Sequence, residues 1–183
     1  MSTLKLAVSS AYLALALLVV CGVLYPLFVT FVSMGIFPWS AGGSPVMNDG
    51  QVVGSLLIGQ NFTGPGYFHS RPSAVDYNAS LSGASHLGPN NDLLLALVNE
   101  RLEEYGTPAP CDAVMSSGSG LDPDISVENA LMQVPRVARE TGIDEAALKG
   151  LVKEHTHGRF LIWGEPGVNV LELNLALKTM GED

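Results

Sequence analysis

The sequence predicts a membrane-anchored α+β protein, with one N-terminal transmembrane helix followed by a single mixed, helix-rich extracytoplasmic domain. Three observations lead to this prediction. Residues 11–32 form an uncharged apolar run that is long enough to cross a bilayer. All 18 acidic residues, and 8 of the 9 basic residues, lie from Asp49 onward. The later sequence contains a strand-like run, a turn-rich stretch and several capped helical patterns.

The apolar run at residues 11–32 is the predicted anchor. A helix of this length would span about 33 Å, compared with a hydrocarbon core of about 30 Å. A cleaved signal peptide is disfavoured, because the apolar core of such a peptide has only about 7–15 residues. Pro26 removes one backbone donor, so we expect it to kink the helix or to mark its approach to the far leaflet.

The charges that flank the anchor predict its orientation. Lys5 precedes the helix, whereas the next basic residue is Arg71. The positive-inside rule therefore places the N-terminus in the cytoplasm and the large domain outside. Along the chain, this gives a short cytoplasmic N-terminus at 1–10, a transmembrane helix at 11–32, a juxtamembrane linker at 33–50 and an extracytoplasmic domain at 51–183.

The composition of the predicted domain excludes some classes of protein. From Asp49 onward the formal charge is −10. Binding to nucleic acid needs clustered Lys and Arg, so this class is excluded. The apolar content of 47% also argues against intrinsic disorder. Cys21 lies in the anchor and Cys111 is the single cysteine of the domain, so no disulfide is predicted within the domain.

The domain begins with one predicted strand and a long irregular segment. Residues 52–58 (VVGSLLI) form a short apolar run bounded by turn formers, which predicts a strand. Residues 61–89 are rich in Gly, Pro, Ser and Asn and show little apolar periodicity. An irregular segment of this length in a compact domain is usually functional.

Four helices follow, and each has a predicted N-cap: Asn90 or Asn91, Ser126, Asp144 and Asn169. The second helix has a predicted apolar stripe at Val127, Ala130, Leu131, Val134 and Ala138. Pro135 lies inside this helix and is expected to kink it. The last helix competes with a strand, because leucines at every second position from Leu171 to Leu177 also alternate.

Three polar motifs resemble reactive sites, and each has a simpler structural interpretation. His155 and His157 lack a third ligand nearby in sequence, so we expect them at the exposed C-terminal turn of a helix. Acidic residues from Asp122 to Glu128 resemble the start of a calcium loop without its glycine and final glutamate, which favours a turn that caps a helix. Ser119 lacks the pattern of a nucleophile elbow. The sequence therefore predicts neither a catalytic residue nor a metal site.

The segment at 60–74, called the 60–74 loop below, is the predicted docking surface. It combines aromatic side chains with arginine, the residue types enriched at interface hot spots. The alternative is that its aromatic side chains fill the core of the domain itself. The predicted docking residues are Gln60, Asn61, Phe62, Tyr67, Phe68, His69 and Arg71.

The same loop carries a resemblance to a known family. Residues 59–74 read GQNFTGPGYFHSRPSA, and further motifs are SGSGLDP at 117–123, QVPRVA at 133–138 and NVLELNLAL at 169–177. Together these motifs resemble the C subunit of the Kdp potassium-transporting ATPase over nearly the whole chain. One departure is Ala84, where members of that family commonly have glycine.

The resemblance implies a non-catalytic subunit of a high-affinity ATP-driven potassium uptake pump in the bacterial inner membrane. Its partners would be a channel-like A subunit, a P-type ATPase B subunit and a small F subunit, within the lipid bilayer. It would hold no cofactor of its own, because ATP and potassium bind at the level of the complex. The resemblance further implies that the subunit stabilises the assembly and acts as a catalytic chaperone that promotes ATP binding by the ATPase subunit.

The alternative function is that of a free-standing, membrane-anchored extracytoplasmic enzyme or binding protein. A pump subunit is expected to purify with its membrane partners and to have no activity alone. Copurification therefore separates the two hypotheses.

Overall fold

The computed structural model describes residues 3–48, 50–158 and 164–181. The chain divides into two compact units, one ending at Pro45 and the other beginning at Val46. The helices are α1 (Thr3–Val19), α2 (Tyr25–Ile36), α3 (Pro38–Ala41), α4 (Asp92–Tyr105), α5 (Cys111–Val114), α6 (Val127–Thr141), α7 (Glu145–Glu154) and α8 (Val170–Gly181). The strands are β1 (Pro45–Asn48), β2 (Gln51–Ser55), β3 (Asp124–Ser126), β4 (Thr156–His157) and β5 (Gly167–Asn169). An apolar helix followed by mixed helices and strands confirms the predicted anchored α+β class.

In the first unit, α1 and α2 are joined by a π-helical turn, Val20–Leu24, into one continuous helix. This helix, Thr3–Ile36, is long and apolar enough to cross a membrane, and none of its side chains is buried within the chain. At the turn, the Tyr25 N–H donates to Val20 O, five residues earlier rather than four. Pro26 follows and has no N–H to donate, so a wider turn before it lets the helix continue.

The second unit contains two small sheets. β1 and β2 form a two-stranded sheet, and β3, β5 and β4 form a three-stranded antiparallel sheet with β5 in the centre. The predicted strand at 52–58 is too long, because β2 ends at Ser55. The backbone then turns, with the Leu57 N–H donating to Ser55 Oγ and the Ile58 N–H to Ser55 O.

The predicted helix starts are confirmed, because a side-chain oxygen accepts a backbone N–H at each of them. These four bonds measure 2.9–3.2 Å and involve Asn91, Ser126, Asp144 and Asn169. The first is capped by Asn91, which settles the choice between Asn90 and Asn91. The strand alternative for the last leucines is wrong, because α8 runs through them and β5 ends just before.

The core lies where α6, α7 and α8 pack on the three-stranded sheet. Its fully buried side chains include Val134, Val137, Leu148, Val168 and Leu173. The predicted stripe of α6 is partly wrong, because Leu131 is 39% exposed whereas Asn129 and Gln133 are buried. The helix continues through Pro135.

The segment between β2 and α4 is irregular, as predicted for residues 61–89. Across 56–91, all of which the structure describes, there is neither helix nor strand. The segment nevertheless enters the core, because the Phe68 side chain is fully buried there. An irregular backbone in this position needs hydrogen-bond partners other than a sheet or a helix.

Candidate functional site

The 60–74 loop is attached to the core through the backbone of Phe68. The Phe68 N–H donates to Asn174 Oδ1 at 2.8 Å, and Asn174 Nδ2 donates to Phe68 O at 2.9 Å. Asn174 lies on α8 and is 3% exposed, so water does not compete for these bonds. One side-chain amide thus satisfies both backbone groups of Phe68, as a neighbouring strand would.

The next residue, His69, is held in the same way by α6. Its N–H donates to Gln133 Oε1 at 2.7 Å, and Gln133 Nε2 donates to His69 O at 3.1 Å. Gln133 Nε2 also donates to Asn129 Oδ1 at 2.9 Å, and Asn129 Nδ2 donates to Asp112 Oδ2 at 3.0 Å. The loop backbone is therefore the end of a buried polar network that extends to α5.

Arg136 lies one turn after Gln133 on α6 and binds the preceding part of the loop. Its guanidinium donates to the carbonyl oxygens of Pro65 and Tyr67, the latter at 3.0 Å, and to Gln133 Oε1 at 2.7 Å. Burial lowers the pKa of Arg136 from its ordinary value, and nearby acidic groups, including Glu104, oppose this shift. Three side chains from two helices, Gln133, Arg136 and Asn174, thus define the path of the loop.

A second irregular segment, 117–122, packs along the other side of the loop. Two hydrogen bonds join the two segments, Ser117 N–H to Pro72 O at 2.9 Å and Ser73 Oγ to Gly120 O at 2.6 Å, and just before the loop the Gly59 N–H donates to Leu121 O at 2.8 Å. Gly120 has a φ of +71°, and a Cβ there would lie 2.6 Å from Val75 Cγ2 and 2.8 Å from Gly83 O. This close approach therefore requires glycine.

Arg71 forms an ion pair within the domain. Its Nη1 lies 2.9 Å from Asp122 Oδ2, and the arginine side chain is 27% exposed. The Tyr77 hydroxyl donates to Arg71 O at 2.7 Å. Burial raises the pKa of Tyr77 to about 12, so this hydroxyl keeps its proton at neutral pH and remains a donor.

The His69 ring lines a pocket of about 310 Å³, together with Tyr105 and Glu104 of α4. Its Nε2 lies 3.1 Å from Gly64 O. Burial lowers the pKa of His69, the hydrogen bond to Gly64 opposes the shift, and the charge of Arg136 adds to it. A neutral ring is therefore favoured at neutral pH, with its Nε2–H donated to Gly64 O.

Tyr67 presents the largest exposed aromatic surface of the loop, with 41% of the residue accessible. Its ring centroid lies 5.8 Å from that of Phe62. Tyr67 also lines an apolar pocket of about 380 Å³ with Ile143 and Leu177. Phe62 is partly buried and packs against the core, so Tyr67 is the exposed aromatic side chain of the loop.

The predicted docking residues therefore fall into different environments. The docking prediction is wrong for Phe68, because its side chain is buried in the core and cannot contact a partner. The alternative, that the aromatic side chains of the loop fill the core, describes this residue. The side chains of Gln60 and Arg71 form hydrogen bonds within the domain. Asn61 and Tyr67 are exposed, and docking through this loop stays a prediction.

The residues that hold the loop were not predicted from the sequence. Gln133 and Asn174 interrupt the apolar faces of α6 and α8, and both are buried. Their position among core residues could have indicated such a role, because a buried side-chain amide needs hydrogen-bond partners. The identity of those partners is not readable from the sequence, since they lie 64 and 106 residues away.

The polar motifs outside the loop have structural partners. His155 follows α7, as predicted, but the expectation for His157 is wrong, because it lies on β4 with its Nε2 3.4 Å from Asp124 Oδ1. Ser119 Oγ lies 3.2 Å from Ser117 Oγ. Within residues 3–48, 50–158 and 164–181, no group of three or more His, Cys, Asp or Glu side chains is placed to hold a metal ion.

Comparison with known proteins identifies the family. Residues 7–179 match the family described as K+-transporting ATPase, c chain (KdpC). A potassium-transporting ATPase KdpC subunit of Cereibacter sphaeroides is 52% identical over 172 residues, which cover 91% of this chain and 93% of the relative. KdpC subunits of Koribacter versatilis and Methylorubrum extorquens are 45% and 47% identical, over 93% and 90% of this chain and 92% of each relative. The chain therefore belongs to the KdpC family.

Proposed function

We propose that this chain is the KdpC subunit of an ATP-driven, high-affinity potassium uptake pump and has no catalytic chemistry of its own. The observation that carries the proposal is the similarity to potassium-transporting ATPase KdpC subunits over about nine-tenths of the chain. The partners are a channel-like A subunit, a P-type ATPase B subunit and a small F subunit. ATP and potassium are bound by the complex rather than by this chain.

In this proposal the apolar helix is a single-pass anchor in the bacterial inner membrane. Lys5 near its start, and the lack of basic residues in the sequence from there to Arg71, support a cytoplasmic N-terminus. The span is 11–32, flanked by a short N-terminus at 1–10 and a linker at 33–50. The acidic domain at 51–183 is then extracytoplasmic.

The 60–74 loop is the proposed contact with a partner subunit. Tyr67 supplies exposed aromatic surface, and Tyr is enriched among residues that dominate binding energy. The amides of Gln133 and Asn174 fix the loop backbone before any partner arrives. Fixing a loop in advance lowers the entropy that binding must overcome, which supports a role in docking.

Tyr67→Ala tests this contact in the full chain. We expect the subunit to dissociate from the complex at least about tenfold more readily, the effect of losing a hot-spot side chain. Leu131→Ala is the matched control, because Leu131 is 39% exposed and Tyr67 is 41% exposed. Unfolding of both variants should resemble that of the unmodified chain. Equal retention of the two variants in the complex would argue against docking by the loop.

The proposed effect on the pump is to stabilise the assembly and to promote ATP binding by the B subunit. An extracytoplasmic domain would exert this effect through subunit contacts, as a coupling between separate sites. The KM for ATP of the complex with and without this chain measures it. We expect a higher KM without the chain, and an unchanged KM would remove the chaperone role. Purification of the chain free of membrane partners would favour the alternative of a free-standing protein.

A further inference from the structure

Helix α4 (Asp92–Tyr105) leaves its leucine-rich first half largely uncovered. It has no buried residue, and Leu93 and Leu95 are 57% and 52% exposed. Its half-buried face consists of Leu94, Leu97, Val98, Arg101, Leu102 and Tyr105. The opposite face carries a ridge of exposed side chains at spacings of three and four residues, called the α4 ridge below: Leu93, Ala96, Glu100 and Glu103.

The charges at the C-terminal end of α4 oppose the helix dipole, although Asp92 in the first turn suits it. The C-terminal end of a helix favours basic side chains, yet α4 has none in its last turn. The other long helices of the domain each have one there: Arg139 in α6, Lys153 in α7 and Lys178 in α8. Glu100 and Glu103 also lie three residues apart, where like charges repel. The end of α4 is thus electrostatically unfavourable in the isolated chain.

The basic side chains near α4, Arg101 and Arg136, bind groups other than Glu100 and Glu103 of the ridge. Arg101 Nη1 donates to Val114 O at 2.6 Å, on the half-buried face. Arg136 interacts electrostatically with Glu104, and its guanidinium binds carbonyl oxygens of the 60–74 loop. Among the residues that the structure describes, neither Glu100 nor Glu103 takes part in an ion pair.

We propose that the α4 ridge binds a segment of a partner subunit that presents an apolar side chain to Leu93 and a Lys or Arg to Glu100 and Glu103. Leu93 and Glu100 are seven residues apart, which separates the two contacts by about 10 Å along the helix. A basic group opposite Glu100 and Glu103 would relieve their repulsion and complement the dipole. The apolar half of the ridge would be covered by the same segment.

A second copy of this chain does not fit the ridge. Parallel pairing of two α4 helices would place glutamates against glutamates, whereas antiparallel pairing would place leucines against glutamates. The inference rests on the proposed function, since the segment belongs to another subunit of the pump. It adds a second contact, separate from Tyr67 in the 60–74 loop.

Charge reversal at the ridge tests the inference with the full chain and the complex purified without it. Glu103→Lys is compared with Glu154→Lys, since both are exposed glutamates near the C-terminal end of a helix and both change the net charge equally. For Glu103→Lys we expect association about tenfold slower at about 0.01 M salt and a much smaller effect at about 0.15 M, where the Debye length is about 8 Å. The isolated variant should be at least as stable as the unmodified chain, because lysine suits the dipole. Glu154→Lys should associate normally.

Leu93→Gln probes the apolar half, where we expect faster dissociation that is independent of salt. Normal association of both Glu103→Lys and Leu93→Gln, with weakened association of Tyr67→Ala, would overturn the α4 contact and leave docking through the loop intact. Failure of the unmodified chain to associate would overturn the proposed function as well. Concentration-dependent self-association of the chain, abolished by Leu93→Gln, would identify a second copy as the occupant and overturn the inference.

Discussion

Two regions of the domain reach a defined structure in different ways. From β3 to α8, apolar side chains of three helices pack on a sheet, and local caps mark the helix starts. Residues 56–91 have no regular structure and contribute one fully buried apolar side chain, Phe68. Their path is defined instead by side chains of the helices, chiefly Asn174 and Gln133, that bind the loop backbone.

This difference shows that the irregular region, despite hydrogen bonds of its own such as that from the Tyr77 hydroxyl to Arg71 O, depends on the helices for its order. Backbone groups of Phe68 and His69 are satisfied only while α6 and α8 stand in their native positions. In the helical region, in contrast, helices and strands supply every buried residue of the core cluster except Phe68. Order in the loop should therefore depend on the helices more strongly than order in the helices depends on the loop.

The largest expected effect comes from a change in the helical core. Leu148 is fully buried on α7, away from the 60–74 loop in sequence. Leu148→Ala should lower the free energy of unfolding by about 3–4 kcal/mol through lost burial and a residual cavity. Chemical denaturation of the full chain in detergent measures this, with the exposed Leu95→Ala as control. Loop amides that keep their hydrogen-exchange protection after the helices of Leu148→Ala unfold would contradict the dependence.

The next effect isolates the link between the two regions. Asn174→Ala leaves the buried N–H and C=O of Phe68 without partners, which should cost about 2–3 kcal/mol. We expect the Phe68 amide to lose hydrogen-exchange protection while the amides of α7 keep theirs. Asn99→Ala, an exposed asparagine on α4, is the control. Protection at Phe68 equal to that of the unmodified chain would mean that the two hydrogen bonds from Asn174 are not needed to order the loop.

The same contrast explains which features could be predicted from the sequence. The N-caps Ser126 and Asp144 were predictable, because each accepts from an N–H only two or three residues away. The irregular character of residues 61–89 was also predictable from its composition. The role of Phe68 was not, because an aromatic residue in a turn-rich segment suits an interface and a core equally well. Its burial depends on Asn174, a partner 106 residues away.

The β strands show a related limit. β5 has only three residues, and its pairing partners, β3 and β4, have three and two. Such strands are too short to show a clear alternation of apolar and polar residues. The sequence therefore predicted the helices that flank them but not the strands themselves. His157 was expected at the end of a helix, where histidine suits the dipole, whereas its strand position depends on pairing with Gly167.

The smallest expected effect concerns pH and the side of the loop that faces α4. Burial lowers the pKa of His69 below its ordinary value of 6.5, so the unfolded chain takes up a proton more readily than the folded chain. The contribution of the neutral His69 ring to stability is therefore complete above pH 6.5, and it is lost as the pH falls from 6.5 toward the lower pKa of the folded chain.

Unfolding of the full chain at pH 7.5 and 5.5 measures this effect. The loss of stability should be smaller for His69→Gln than for the unmodified chain, since glutamine does not titrate. His86→Gln, which changes an exposed histidine, should keep the loss of the unmodified chain. Equal losses for His69→Gln and the unmodified chain would mean that protonation of His69 does not influence the loop.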